Sequence, residues 1–378
     1  MKAVIAAYAR SPQHFARKGA LATIRPDDMA AQVVTGLLKR TKLDPALIED
    51  LILGCAYPEG VQGSNIARIV GVLAGLPQEV GGMTVNRFCG SSMSAIQIAA
   101  AQIEAGIGDS YLSVGVESMS MVPQGGFNRT PNPELIARHA DIYITMGQTA
   151  ENVARRYKIS RPDQEAMAVD SHRKAAQARE QGRLRDEIVP IRLGSGELVS
   201  EDGCIRPGTT LEALANLKPA FAEDGVVTAG TSSPLTDGAA VVLVTSEEFA
   251  ARHDLQPLAR IRSMATVGCD PAVMGIGPIP ATRKALTRAA LGVAALDVVE
   301  LNEAFASQAL ACIRELGLDP AKINIDGGGM ALGHPLGATG ARITGKAASL
   351  LARTKGRYAL STQCIGGGQG IATVMEAM

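Results

Sequence analysis

Cys89 sits in Val85-Asn86-Arg87-Phe88-Cys89-Gly90-Ser91-Ser92, where a β-rich run breaks at a glycine and opens a helix of small residues. Met93, Ile96, Ala100 and Ile103 follow at three- and four-residue steps, and Gly106 makes a C-cap, so the spacing predicts a helix beginning just after the sulfur. Unpaired N–H groups in its first turn, together with the positive end of the helix dipole, favour thiolate over thiol, and the expectation is a lowered pKa and an activated nucleophile. Taken alone, the segment fits a buried, inert cysteine equally well. A second cysteine, Cys364, ends the strand-like run before Ile365-Gly366-Gly367-Gly368-Gln369-Gly370, where glycines allow close backbone approach. A lone histidine, His334, lies between glycine turns in Gly327-Gly328-Gly329-Met330-Ala331-Leu332-Gly333-His334-Pro335-Leu336-Gly337. Two thiols and an imidazole at strand-to-glycine junctions suit one assembled site. A thiol nucleophile needs a base to take its proton, and carbon–carbon chemistry beside a carbonyl needs a second acid/base.

With Asn302-Glu303-Ala304-Phe305-Ala306, these motifs give the chain four segments whose order and content resemble the thiolase family, most closely its degradative 3-ketoacyl-CoA branch. The resemblance runs over essentially the whole chain. It implies an α/β thiolase fold: a five-layered αβαβα sandwich of two similar halves with an inserted loop domain. It implies an acyltransferase that cleaves 3-ketoacyl-CoA with CoA through an acyl-Cys89 intermediate, as in fatty-acid β-oxidation. By the same resemblance His334 is the base for Cys89, Cys364 the second acid/base, and Asn302 the holder of a water that helps bind the thioester oxygen. The N–H groups of Cys89 and Gly366 form a second oxyanion pocket. Met146, Phe305 and Ser233 match positions that bind the pantetheine. Coenzyme A is a substrate, with no tightly bound cofactor and no metal expected, and the assembly implied is a homodimer or homotetramer, with a β-oxidation hydratase/dehydrogenase subunit as a further candidate partner.

One departure bears on specificity. The family often has His-Met-Gly where this chain has Thr145-Met146-Gly147, which is more in keeping with degradative members. The compact segment from Met119 to Ile144 points the same way, since a biosynthetic relative would carry a longer tetramerisation loop there. The runner-up is an acetoacetyl-CoA thiolase running the Claisen condensation. A non-catalytic CoA-binding subunit of a β-oxidation complex is disfavoured because such a subunit has no need of two poised thiols.

The elements that must position these residues are legible as a pattern. At 378 residues the chain supports two or three domain-sized units. Apolar runs alternate with amphipathic helices in roughly the first 120 and the last 120 residues, the pattern of layered α/β sheets. The stretch Leu37–Leu43 followed by Ile48–Leu53 has a late counterpart in Ala285–Leu291 followed by Leu296–Leu301, a weak internal duplication that predicts two halves about a pseudo-twofold axis. The expected units are residues 1–118 with 233–254, carrying the nucleophile; 119–232, a charge-rich insertion that the resemblance assigns to CoA binding; and 255–378, carrying His334 and Cys364. In the insertion Arg155, Arg156, Lys158, Arg161, Arg173, Lys174, Arg179, Arg183 and Arg185 read singly as solvated surface, and collectively as a basic lid for a phosphorylated ligand.

Composition narrows the remaining classes. Lys and Arg number 37 and Asp and Glu 37, so the global field gives no reason to expect nucleic acid or an acidic membrane surface. The six cysteines form no C-x-x-C pair and read as belonging to a reducing compartment. Cys55, Cys204, Cys269 and Cys312 match no motif and are taken as structural. No apolar stretch would span a bilayer and the start is already strand-like, so a cytoplasmic location is expected. The segment Gly340–Lys346 resembles a phosphate-binding loop, but Ala347 replaces its terminal hydroxyl residue and the spacing of Ile343, Ala347 and Leu350 is helical. Asn302 also reads as the N-cap of a helix from Glu303 to Leu316, with Gly317 closing the far end.

Overall fold

A computed structural model describes residues 2–378. In chain order its strands are β1 (Ala3–Arg10), β2 (His14–Phe15), β3 (Asp50–Gly54), β4 (Gly81–Val85), β5 (Ser110–Ser118), β6 (Ile191–Arg192), β7 (Leu198–Val199), β8 (Thr236–Ser246), β9 (Ala259–Gly268), β10 (Val298–Leu301), β11 (Tyr358–Ile365) and β12 (Gln369–Glu376). Nine of them form two sheet sections, β4-β3-β5-β8-β1 and β10-β11-β12-β9, which touch where β1 meets β9 through Val4–Arg260 and Ile5–Ala259, and β2 pairs with β8 off this path.

The duplication is visible strand by strand. In the first section β3 is parallel to β4 and β5, β5 antiparallel to β8, and β8 antiparallel to β1. In the second, β10 is parallel to β11, β11 antiparallel to β12, and β12 antiparallel to β9, while Ile323, bridged in parallel to Val299, stands where β4 stands in the first. The matched helices Pro26–Thr41 and Pro278–Ala289 both end in a left-handed cap, at Lys42 and Ala290, before a one-turn 3-10 helix and the next strand. The repeated helix-to-strand pattern of the sequence therefore corresponds to a repeated local backbone.

Alternation along each strand separates the layers, because successive side chains leave opposite faces. Leu51 and Leu53 of β3 pack outward with Met29, Val33, Leu37, Ile66 and Val70 of the helices Pro26–Thr41 and Ile66–Leu73. Ile52 packs inward with Ile96, Ala99, Ala341 and Leu351, from the central helices Ser91–Glu104 and Leu336–Thr354. Beyond the second section, Leu301, Leu360 and Val374 meet Ile279, Leu286, Ala309 and Leu316 of the helices Pro278–Ala289 and Ala306–Leu316. The order is helices, sheet, two central helices, sheet, helices. Residues 340–346 lie within the central helix, not in a phosphate loop.

The central helices begin close to the two junctions singled out above, so their approach fixes how the halves meet. They cross at Gly340, where a Cβ would fall 2.3 Å from the Met93 backbone nitrogen. Gly340→Ala is expected to lower the unfolding free energy by about 1–3 kcal/mol, as overpacking of a buried crossing does. Equilibrium urea unfolding measures it, and a wild-type midpoint would overturn the expectation.

Between β5 and β8 the chain leaves the sheets, forming helices Pro133–His139, Met146–Arg156, Arg161–Glu180 and Leu211–Ala215 and the small β6–β7 ribbon. Buried charges tie this segment to both halves. The Arg10 guanidinium of β1 donates to both Asp202 carboxylate oxygens at 2.7 and 2.8 Å and to Glu187 at 2.9 Å. Glu187 also accepts from Lys346 Nζ of the central helix at 3.0 Å. Several cations of the expected basic lid are engaged in ion pairs: Arg156 with Asp270, Arg161 with Glu165, Arg173 and Lys174 with Asp170, and Arg183 with Asp326. The exposed pairs among them add little to stability.

One helix start differs from the sequence pattern. The helix after β10 begins at Ala306, with Phe305 at its cap and no side-chain capping bond, so Asn302 is not its N-cap. Residues 303–305 stay outside the helix, with Phe305 extended, because Ser233 N–H donates to Ala304 O at 3.0 Å and Ser232 pairs with Phe305. That tie to the chain just before β8 outcompetes the capping preference of an asparagine.

Candidate functional site

The turn that carries Cys89 is held in an uncommon backbone conformation. Phe88 has φ +44°, a left-handed geometry that costs a bulky residue about 1–3 kcal/mol. Asn86 Oδ1 accepts from Phe88 N–H at 2.8 Å while its Nδ2 donates to Ala56 O at 3.0 Å. Ser91 Oγ accepts from Arg87 N–H at 2.9 Å and donates to Phe88 O at 2.6 Å. Gly90 is the helix cap. The N–H groups of Gly366 and of Cys89 itself favour the ionised form of the Cys89 sulfur.

These donors do not win. Burial pushes the Cys89 thiol up to about 12, the Gly366 and Cys89 N–H groups acting in the opposite direction. The lowered pKa expected from the helix start is therefore corrected: burial beside Ala56, Met119, Leu336 and Tyr57, reinforced by the Glu117 carboxylate, outweighs the two N–H groups. The Cys89 side chain is therefore held as a thiol.

His334 is buried at the turn after Gly333, whose φ of +105° suits glycine. Its N–H donates to Thr236 Oγ1 at 3.1 Å, its Nδ1 lies 2.6 Å from Thr339 Oγ1, and its Nε2 lies 3.4 Å from Asn302 Nδ2. Burial, reinforced by Arg342, pulls the ring down to about 3, so it is neutral across the physiological range. Cys364 is the last residue but one of β11, among Ala150, Met274, Ala304 and Phe305, and burial raises its thiol well above the ordinary value.

Cys89, His334, Cys364 and Gly366 line one cavity of about 680 Å³ together with Met146, Ser233 and Phe305. Asn302 stands behind His334, outside that lining, with its Oδ1 buried and unpartnered. Phe305 stacks edge-on to Phe221 at 5.8 Å. Met146 opens a helix capped by Thr145 Oγ1, so the threonine found in place of the usual histidine has a structural part. No cluster of side chains suited to a metal ion occurs among the described residues, and no described helix is long and apolar enough to cross a membrane.

Tyr57, Phe88, Phe221 and Met274 also line the cavity and carry no signal in the sequence. Glu117 had one: a carboxylate inside the apolar run of β5. Fully buried, it accepts from Ala56 N–H at 2.8 Å, Gln62 Nε2 at 2.8 Å and Gly337 N–H at 2.9 Å. It thus joins the turn supporting Cys89 to the turn following His334. Burial raises its pKa, and those same donors oppose the rise.

The depressed His334 pKa makes stability depend on pH. The unfolded ring titrates near its ordinary value of about 6.5, so the unfolded chain binds the proton more tightly than the folded one. The penalty is absent above that value, grows as pH falls toward about 3, and is shared in direction by His172, lowered to about 4 by burial. Wild-type protein is expected to lose more thermal stability between pH 7 and 4 than His334→Asn. Equal losses in the two proteins would overturn the assignment.

Residues 3–248 match the thiolase N-terminal domain and residues 255–377 the thiolase C-terminal domain. A 3-ketoacyl-CoA thiolase of Saccharophagus degradans is 49% identical, covering 99% of this chain and 97% of the relative. One from Bacillus subtilis is 46% identical over 99% of both chains. A 3-oxoadipyl-CoA/3-oxo-5,6-dehydrosuberyl-CoA thiolase of Escherichia coli is 46% identical over 95% of both. With a duplicated α/β fold and a cavity that unites Cys89, His334 and Cys364, this chain belongs to the thiolase family.

Proposed function

We propose that this protein cleaves 3-ketoacyl-CoA with CoA, giving acetyl-CoA and an acyl-CoA shorter by two carbons. The observation that carries the reading is the convergence of two thiols and a neutral imidazole, contributed by both halves, on one cavity. His334 takes the Cys89 proton as sulfur attacks the 3-keto carbon, and carbon–carbon cleavage expels the enolate of acetyl-CoA. Cys364, kept protonated by burial, donates its proton to that enolate carbon. It then recovers a proton from the thiol of incoming CoA, which attacks acyl-Cys89 and restores the thiol enzyme. The N–H groups of Cys89 and Gly366, which favour negative charge at the Cys89 sulfur, suit an oxyanion formed beside it. The buried, unpartnered Asn302 Oδ1 suits a water held next to His334.

Met146, Ser233 and Phe305 are assigned to the pantetheine, and CoA is a substrate, not a resident cofactor. In this reading residues 1–118 with 233–254 supply the nucleophile, 119–232 cover the CoA, and 255–378 supply His334 and Cys364. A homodimer or homotetramer is supported by β4, a partly exposed edge strand that pairs with β3 alone. A cytoplasmic location and association with a hydratase/dehydrogenase subunit belong to the same reading.

One observation favours a second reading of the acyl group. Arg129 is the only Lys or Arg lining the cavity and has no ion-pair partner among the described residues, a feature suited to an acyl chain with a terminal carboxylate. The test is CoA-dependent loss of acetoacetyl-, 3-oxohexanoyl- and 3-oxoadipyl-CoA. Preference for 3-oxohexanoyl-CoA supports the proposal, preference for 3-oxoadipyl-CoA the second reading, and preference for acetoacetyl-CoA the biosynthetic alternative. No turnover by folded protein that binds CoA overturns thiolysis and favours a CoA-binding subunit.

A further inference from the structure

Glu117 takes no part in the chemistry above, yet its buried carboxylate holds the turns of both reacting groups. On β5 it shares a face with Gly115, two residues earlier. At Gly115 both central helices come against the strand: a Cβ there would fall 2.6 Å from Gly337 O and 2.6 Å from Ser92 Cβ. Past that contact, Glu117 Oε2 accepts from Ala56 N–H at 2.8 Å and from Gly337 N–H at 2.9 Å, while Oε1 accepts from Gln62 Nε2 at 2.8 Å and Tyr57 N–H at 3.2 Å. From Ala56 the ties run on to the nucleophile, because Ala56 O accepts from Asn86 Nδ2, and Asn86 Oδ1 accepts from the N–H of Phe88, next to Cys89. Gly337 lies three residues after His334, in the first turn of the helix Leu336–Thr354, where an N–H has no partner within the helix. Each of these partners is a donor, and a carboxylate offers both oxygens as acceptors with no proton of its own.

We infer that Glu117 is a positioning residue whose carboxylate, gripped from both halves, sets the separation of the Cys89 turn from the His334 turn. Its effect on turnover rests on the thiolase reading; the grip itself does not. Glu117→Gln keeps the length but puts an amide NH2 where one oxygen stood, so that a donor faces either Ala56 and Gly337 or Tyr57 and Gln62. Either way the turn at residues 56 and 57 loses a tie. Gly337→Ala disturbs the same junction from the other half, since its Cβ would fall 2.9 Å from Glu117 Oε2 and 2.8 Å from Cys55 Cα. Charge alone would act in the opposite sense. The Glu117 carboxylate opposes ionisation of Cys89, so its neutralisation by itself would make the sulfur more reactive.

Two single variants and their combination test it, with the folded fraction measured by circular dichroism. In Glu117→Gln and in Gly337→Ala, kcat for thiolysis and the rate of Cys89 alkylation by iodoacetamide, both per folded molecule, are expected to fall about 10- to 100-fold, the scale for reacting groups displaced by about 1 Å. The KM for CoA, assigned above to Met146, Ser233 and Phe305, is expected to stay within about twofold. The double variant is expected to lie within about threefold of the slower single variant, because both substitutions break one contact. Faster alkylation in Glu117→Gln overturns the inference and leaves an electrostatic role alone. Wild-type rates in variants that are merely less stable overturn it in favour of a structural role, and losses that multiply in the double variant overturn it by showing that the two residues act separately. If Glu117→Gln does not fold, Gly337→Ala decides, wild-type kcat and alkylation again overturning the inference. If the wild type cleaves no 3-ketoacyl-CoA, the thiolase reading fails, whereas the alkylation rates still test the positioning.

Discussion

Cys89→Ser is expected to lower kcat for thiolysis by about 10⁴-fold or more, the scale of loss when a covalent nucleophile is removed. Serine is close in size and fits the same turn, so urea unfolding is expected to stay near wild type, within about 0.5–1 kcal/mol. The loss is chemical. The thiol is already pushed up to about 12 by burial, and an alcohol is weaker still as an acid. A ring held neutral down to about pH 3 is a weak base and cannot supply the difference. Mass spectrometry of protein mixed with 3-ketoacyl-CoA and no free CoA is expected to show an acyl adduct on Cys89 in the wild type and none in the variant. An adduct on Cys364 instead would reverse the two roles.

Cys364→Ala is expected to lower kcat by about 10²–10⁴-fold, the range for losing a positioned general acid, through a different step. The enolate expelled on cleavage must be protonated at carbon, and the thiol suited to that task is one that burial keeps protonated, as Cys364 is among Met274, Ala304 and Phe305. In the proposed mechanism alkylation of Cys89 by iodoacetamide needs only Cys89 and His334, so it is expected to proceed near the wild-type rate. Deuterium exchange into the methyl group of acetyl-CoA is expected to vanish. Loss of alkylation would mean that Cys364 activates Cys89; retained exchange would mean that it is not the acid/base at carbon. Together the two variants separate acyl transfer from carbon–carbon cleavage.

Much of this protein is legible in its residues because the relevant interactions are local. The helix after Cys89 follows from the spacing of Met93, Ile96, Ala100 and Ile103, and it runs over Ser91–Glu104. The paired stretches ending at Leu53 and Leu301 announce a duplication that the strand orders repeat, down to the left-handed caps at Lys42 and Ala290. The glycine junctions at Cys89, His334 and Cys364 mark turns, and turn chemistry is set within a few residues. The helical spacing of Ile343, Ala347 and Leu350 excludes a phosphate loop by the same kind of argument.

Tertiary structure decided the rest, for reasons of range. A helix dipole is felt over one turn, and from the sequence it argues for a low Cys89 pKa; desolvation sums over every neighbouring atom, and those neighbours come from residues 56, 57, 119 and 336. Asn302 has the residue type of a cap, but the pairing of Ser232 with Phe305 delays the helix to Ala306 and leaves its side chain for His334. Glu117 reads as an oddity in a strand until Ala56, Gln62 and Gly337 converge on it. The sequence alone determined which groups could react and on what kind of scaffold. Which proton each carries was decided only by folding, because burial and hydrogen-bond partners arrive from segments far apart in the chain.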